Sequence, residues 1–159
     1  MTIQDLFEQI SKHDDCEIFL SEGLPQIESI YQLPKDLHDF YKLCGGVVLY
    51  KSTNYPVRIV PPKFFVPANP VMLGGRYEED ISSNWYIIAD DLSGEYLTID
   101  LESERFGYCY DSFHDRHGVV GESQIIALSF TELLCNLVEG KGDYWYWLQG
   151  GAYLGDAYD

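Results

Sequence analysis

Between Val47 and Ser112 the hydrophobic period of the chain shortens. Five strand-length runs, VVLYKS (47–52), VRIV (57–60), WYIIAD (85–90), EYLTIDL (95–101) and FGYCYDS (106–112), are rich in β-branched and aromatic residues. Turn-forming residues separate them at Asn54, Pro56, Asp91 to Gly94 and Glu102 to Glu104. In EYLTIDL, alternation puts Tyr96, Thr98 and Asp100 on one face and Leu97, Ile99 and Leu101 on the other. A half-buried antiparallel sheet produces that pattern, and the short links from Trp85 to Ser112 make three of the strands a meander. Ile125 to Leu128 reads as a last short strand. The stretch from Pro61 to Asp80 is dense in proline and glycine and reads as an irregular connection, with an extended piece at Phe64 to Val66.

Helical periods bracket this block. Ile3, Leu6, Phe7 and Ile10 share one helical face behind Thr2 as N-cap. A loop with Gly23 and Pro25 and a short apolar stretch at Ile27, Ile30 and Tyr31 follow. Pro34 then opens a second helix striped by Leu37, Phe40, Tyr41 and Cys44 and ended by Gly45 and Gly46. After the strands, Ser129 and Glu132 form a capping-box pattern ahead of Phe130, Leu133, Leu134, Leu137 and Val138, with Gly140 as the stop. DYWYWLQ adds a further helical turn. Helices, then adjacent strands, then a helix define an α+β fold, not the alternating α/β order. The expectation is one largely antiparallel sheet of five to six strands flanked by N-terminal and C-terminal helices. With 159 residues, 46% of them hydrophobic, a single domain over 1–159 is expected, its last residues, 150–159, a tail either mobile or docked.

Charge narrows the function. Ten Lys and Arg against 26 Asp and Glu give a formal charge of −16 and a pI near 4.3. Binding to a phosphate backbone draws its free energy from cationic side chains, so nucleic acid is excluded as a direct partner, and anionic membranes are disfavoured for the same reason. A field of this sign steers basic partners inward. The start, MTIQDLFEQISK, has neither the basic flank nor the apolar run of a signal peptide, and no membrane-length apolar run exists. A cytoplasmic protein with reduced thiols at Cys16, Cys44, Cys109 and Cys135 is expected. No CxxC pair offers a zinc site.

Motifs for chemistry are missing. The pairs Gly45-Gly46, Gly74-Gly75 and Gly150-Gly151 lack the context of a nucleotide loop, and no GxSxG elbow occurs. His114 and His117, near Cys109, Asp111 and Asp115, supply at most two loop ligands, so the reading there is loop fixation by Arg116 and its neighbouring carboxylates. Asp90 and Asp91 are consecutive in a strand and point to opposite faces, and with Glu95 they suit a turn better than an acid/base pair. The chain reads as a binding module without catalytic residues, metal or cofactor. Its candidate partner-binding residues are Asp91, Glu95, Glu102, Glu104, Asp111 and Asp115 with Tyr96 and Tyr110, because Arg105 is the one Lys or Arg between residues 80 and 114. Its 13 tyrosines and three tryptophans supply interface-type contact area, for a partner or a homodimer, while Trp85 and Trp145 are expected in the core.

Taken together, LPKDLHDFYKLCGG (33–46), WYIIADDLSGEYLTIDL (85–101), GYCYDSFHDRHG (107–118) and IALSFTELL (126–134) resemble the SUKH superfamily, which includes the fungal cell-wall assembly regulators and many bacterial immunity proteins. Pro34, Gly45, Gly46, Trp85, Asp90, Gly94 and Asp100 match its structural pattern, and Cys44 stands where the family usually has Asn, a better left-handed cap. The resemblance implies the same α+β fold and no shared catalytic residues. It also implies a job: an immunity protein that binds a cognate toxin, nuclease-type or other, through an acidic and aromatic surface. The alternative it implies is a regulatory or scaffolding module like the fungal relatives. An acidic inhibitor suits the positive surface of a nuclease toxin.

Overall fold

A computed structural model describes residues 1–159. Its strands are β1 (Glu17–Ile18), β2 (Val47–Leu49), β3 (Val57–Ile59), β4 (Trp85–Asp90), β5 (Tyr96–Asp100), β6 (Cys109–Ser112) and β7 (Ile125–Ala127). They lie side by side in chain order, every pair antiparallel. The helices are α1 (Ile3–Ser11), α2 (Lys35–Leu43), α3 (Ala68–Leu73) and α4 (Phe130–Gly140). The fold is α+β, with seven strands where five to six were expected. The extra one is β1, two residues long, which has no signal of its own and forms by pairing Glu17 and Ile18 with Val48 and Val47.

Antiparallel partners share a face, so the register sorts the sheet. Val47, Ile59, Ala89, Leu97 and Tyr86, Ile99, Cys109, Ala127 line one side. Against it pack Leu6 and Ile10 of α1, Leu37, Phe40 and Tyr41 of α2, and Phe130, Leu133 and Leu134 of α4, all buried. Thr2 caps α1 with a complete capping box to Asp5, and the Ser129 hydroxyl accepts the Glu132 N–H at the start of α4. Asp36 joins two helices: its Oδ2 accepts both the backbone N–H and the hydroxyl of Thr131, each at 2.8 Å.

The other side carries Arg58, Asp90, Tyr96 and Ser112 at one end and Ile87, Thr98, Trp85, Asp100 and Tyr110 further along. The connection from Pro61 to Asp80, expected to be irregular, contains α3, begun by Pro67 and ended by left-handed Gly74. The expected cap at Cys44 is corrected as well. Cys44 is extended (φ −156°), a conformation any residue adopts, and the left-handed residue is Gly46 (φ 111°). A Cβ on Gly46 would lie 2.6 Å from the Ile59 carbonyl oxygen, so that position admits glycine alone. At the end of α4 it is Lys141, not Gly140, that turns left-handed.

The C-terminal segment is docked at the β7 edge. Asp156 bridges to Gln124, and the Ile125 and Ala157 N–H groups donate to Gly155 and Ser123 carbonyls. Asp156 and Ala157 are buried, so of the two expectations for residues 150–159 it is the docked one that holds for this part. No helix is long and apolar enough to cross a membrane.

Candidate protein-interaction surface

The β4–β5 turn builds its own geometry. Asp91 Oδ1 accepts the N–H groups of Ser93 (2.8 Å) and Glu95 (3.0 Å), and its Oδ2 accepts the Ser93 hydroxyl. Asp90 points to the other side of the strand, where Arg58 Nη2 meets its Oδ2 at 2.6 Å. Glu95 Oε1 accepts the His114 N–H (2.9 Å) and lies 2.7 Å from His114 Nδ1, which ties the turn to the end of β6. Tyr96, half-buried, sits between Asp90 and Ser112 in register, and Asp115 is exposed just beyond. Beside them an open groove of about 340 Å³ runs over the sheet, lined by Arg58, Val60, Phe64, Val66, Val71, Ile87, Asp90 and Tyr96. Asp91, Glu95, Tyr96 and Asp115 are therefore brought together.

Glu102 and Glu104 are not with them. They lie in the β5–β6 connection, at the opposite end of the strands. Glu102 accepts the Glu104 N–H at 2.8 Å and has Arg105 Nη2 3.6 Å away. A second groove opens there, with Ile30, Tyr31, Asn84, Leu101, Glu102 and Phe106 in its wall.

Two candidates leave the set. Asp111 and Tyr110 have no exposed surface. Asp111 Oδ2 accepts Trp147 Nε1–H and Arg116 Nε–H, both at 2.9 Å, and Oδ1 accepts the Phe113 N–H. Burial raises its carboxyl above the ordinary range against these donors. The Tyr110 hydroxyl donates to Asp100 Oδ2 at 2.6 Å. Both side chains hold the fold and cannot reach a partner.

Trp85 and Asp100 prove to be one unit. Asp100 Oδ2 accepts Trp85 Nε1–H (3.1 Å), the Tyr110 hydroxyl and Arg105 Nε–H (3.2 Å), while Oδ1 accepts the Glu102 N–H (2.9 Å). The Trp85 and Tyr110 rings lie 4.3 Å apart. Burial raises the Asp100 carboxyl, opposed by these donors.

The histidine pair separates. His114 is exposed, while His117 is buried with Nε2 2.7 Å from Asn69 Oδ1 and Nδ1 2.9 Å from the Ser112 hydroxyl. Asn69 Nδ2 donates to the Arg76 carbonyl and to Ser82, so Oδ1 is its acceptor and His117 carries its proton on Nε2. Burial lowers the imidazole to about 4, which keeps it neutral at ordinary pH. Nowhere do three His, Cys, Asp or Glu side chains converge as metal ligands. Sequence reasoning missed Asn69, Ser82, Asp80 and Tyr158, whose hydroxyl donates to Asp80 at 2.6 Å; partners 48 and 78 residues apart leave no local signal.

Every arginine in the chain is occupied: Arg58 by Asp90, Arg76 by Glu28, Arg105 by Asp100 and Arg116 by Asp111. From residue 64 to residue 140 there are fourteen Asp and Glu, three of these arginines and no lysine. The exposed carboxylates of that half face solvent without a cation of their own.

Comparison with known proteins gives two findings. A family model described as "SMI1 / KNR4 family (SUKH-1)" matches residues 26–136. The chain is also similar to "Immunity protein YokJ" of Bacillus subtilis (strain 168), 54% identical over 160 residues that cover 100% of this chain and 97% of that protein.

Proposed function

The chain belongs to the SMI1/KNR4 (SUKH-1) family, and we propose that it works as an immunity protein that binds a basic toxin domain and covers its working surface. The observation that carries the basic character of the partner is the uncompensated acidity of residues 64–140, in which all three cations are already engaged. Such a surface raises the encounter rate with a positive partner and rejects neutral ones less strongly than acidic ones. Inhibition is by occupancy, so no catalytic group is required of this chain. The binding face we assign is the β4–β5 end, which carries Asp91, Glu95 and Asp115 and where Tyr96 lines the groove over the sheet. A toxin that attacks nucleic acid inside the producing cell would be met in the cytoplasm.

The test begins with co-expression. Genes of the source organism are expressed singly in cells with and without this chain, and the toxin is the product whose lethality the chain abolishes. Association of the purified pair is then followed in rising salt. The expected result is a lethal, basic domain whose on-rate falls steeply with ionic strength. If the chain relieves no lethality, the reading is overturned. Glu95→Lys with Asp115→Lys should slow association about tenfold, and Glu102→Lys with Glu104→Lys should slow it less. The reverse order would move the face to the β5–β6 end.

A further inference from the structure

Four residues other than glycine have a left-handed backbone: Tyr50, Tyr77, Leu92 and Lys141. Lys141 follows the last turn of α4, an ordinary place for that conformation. Tyr50 is buried and its hydroxyl donates to the Val138 carbonyl, so its strain is offset by packing and a hydrogen bond. Leu92 has no such return. It sits in the β4–β5 turn at φ 67° with 51% of its surface exposed. Left-handed backbone crowds a Cβ against the following carbonyl oxygen, and turns usually place Gly, Asn or Asp there. The same turn does use glycine at Gly94 (φ 104°).

The strained position is also braced. The Leu92 N–H donates to Asp90 Oδ1 at 3.1 Å, and Asp90 Oδ2 is gripped by Arg58 through Nη2 (2.6 Å) and Nε (3.2 Å). Asp91 closes the rest of the turn through Ser93 and Glu95, and Glu95 is anchored to His114. Tyr77 is exposed too, and its turn is held by the Asp80 N–H and by Asn69 on the Arg76 carbonyl, but it precedes the start of β4, at the opposite end of that strand from the β4–β5 turn. The hairpin thus fixes the backbone that presents an apolar side chain to solvent, at a cost in backbone strain and in hydration. Strain of this kind collects where a contact requires it, and a preordered turn loses little backbone entropy on binding.

We propose that Leu92 is the anchor of the toxin contact: it enters an apolar pocket on the toxin domain whose rim carries Lys or Arg, facing Glu95 and Asp115. The inference rests on the immunity reading and names the residue and the complementary chemistry within it.

The experiment uses the full chain and the toxin identified by co-expression, comparing wild type, Leu92→Asn and Leu92→Met. Asn accepts left-handed backbone, so Leu92→Asn should raise Tm by about 2–4 °C while weakening toxin binding about 30-fold. Leu92→Met keeps an apolar side chain and should bind within about threefold of wild type. A Leu92→Asn chain that binds as wild type does overturns the anchor and leaves the immunity reading standing. A Leu92→Asn chain whose Tm does not rise overturns the strain argument. A wild-type chain that neutralises no toxin overturns the immunity reading and the anchor with it.

Discussion

The two faces of the sheet are held by different physics. The larger apolar cluster, 31 buried residues, lies mainly on the helix side, where it joins α1, α2 and α4 to the strands, and reaches round to Ile87. On the other side a separate buried apolar cluster has four residues, Trp85, Tyr110, Ile125 and Ala157, and hydrogen-bonded polar groups are packed around it. Asp100, Ser112, Thr98, His117 and Asn69 are all buried there, each with a partner. An apolar layer tolerates change that keeps volume, because dispersion and burial are not directional. A buried polar layer does not, because each group that loses its partner is left desolvated. The second layer is also the one next to the proposed binding face, where fixed geometry matters more than bulk stability.

Removing Asp100 should break the comparison hardest. Asp100→Ala leaves the Arg105 guanidinium, Trp85 Nε1–H and the Tyr110 hydroxyl without their shared acceptor, and about 4 kcal/mol of unfolding free energy should be lost in a urea titration. The isosteric Asp100→Asn should still cost at least about 2 kcal/mol, since an amide offers one acceptor oxygen to the same donors. On the helix side Leu133→Ala should cost about 3 kcal/mol through the cavity it leaves, but Leu133→Met less than about 1.5 kcal/mol. If Asp100→Asn were as mild as Leu133→Met, the two faces would not differ in kind.

The same contrast explains what could be read in advance. Helix faces and strand runs were legible because they are periodic, and Leu6, Phe40 and Leu134 fall where the period puts them. The helix α3 was hidden by Pro67 and Pro70, yet these occupy its N-cap and first turn, where a missing N–H costs nothing. Asp111 could have been withdrawn from the surface set, because register pairs it with Leu97 on the helix-covered side. Its partners, Trp147 and Arg116, could not have been foreseen from spacing. The polar layer was illegible for a physical reason: it is made of single contacts between distant segments, which have no repeat to detect.

A pH titration sharpens the difference further. His117 is held at about 4 by burial, below its ordinary value of 6.5. Its folded form refuses a proton that the unfolded chain accepts, so stability is complete above pH 6.5 and declines as pH falls towards 4. The shift amounts to about 3 kcal/mol. The lowered Asp80 carboxyl acts only below pH 3.8, and the raised Asp100 and Asp111 carboxyls act in the opposite sense above it. The imidazole is therefore isolated by comparison with His117→Gln, which should be less stable at pH 7 and show a flatter loss between pH 6.5 and 4. Equal slopes in the two proteins would mean that His117 is not the titrating group.

The smallest expected effect is at the C-terminus, and it tests whether the polar layer extends that far. Tyr158 packs its ring 6.1 Å from Trp85 and donates its hydroxyl to Asp80 Oδ2, the atom that also accepts the N–H and hydroxyl of Ser82. These donors hold the Asp80 carboxyl below its ordinary range against the cost of burial. Tyr158→Phe keeps the ring and removes one donor, so it should cost about 1 kcal/mol, seen as a Tm lower by about 2–4 °C. Since Asp80 then has less to hold it ionised, the deficit should be full above pH 3.8 and shrink as pH falls below it into the lowered range of the wild-type carboxyl. Deleting residues 156–159 removes the ring together with the bridge to Gln124 and should cost more than the hydroxyl alone. A deletion no worse than Tyr158→Phe would mean that the segment merely rests on Trp85, and that the polar layer ends at His117.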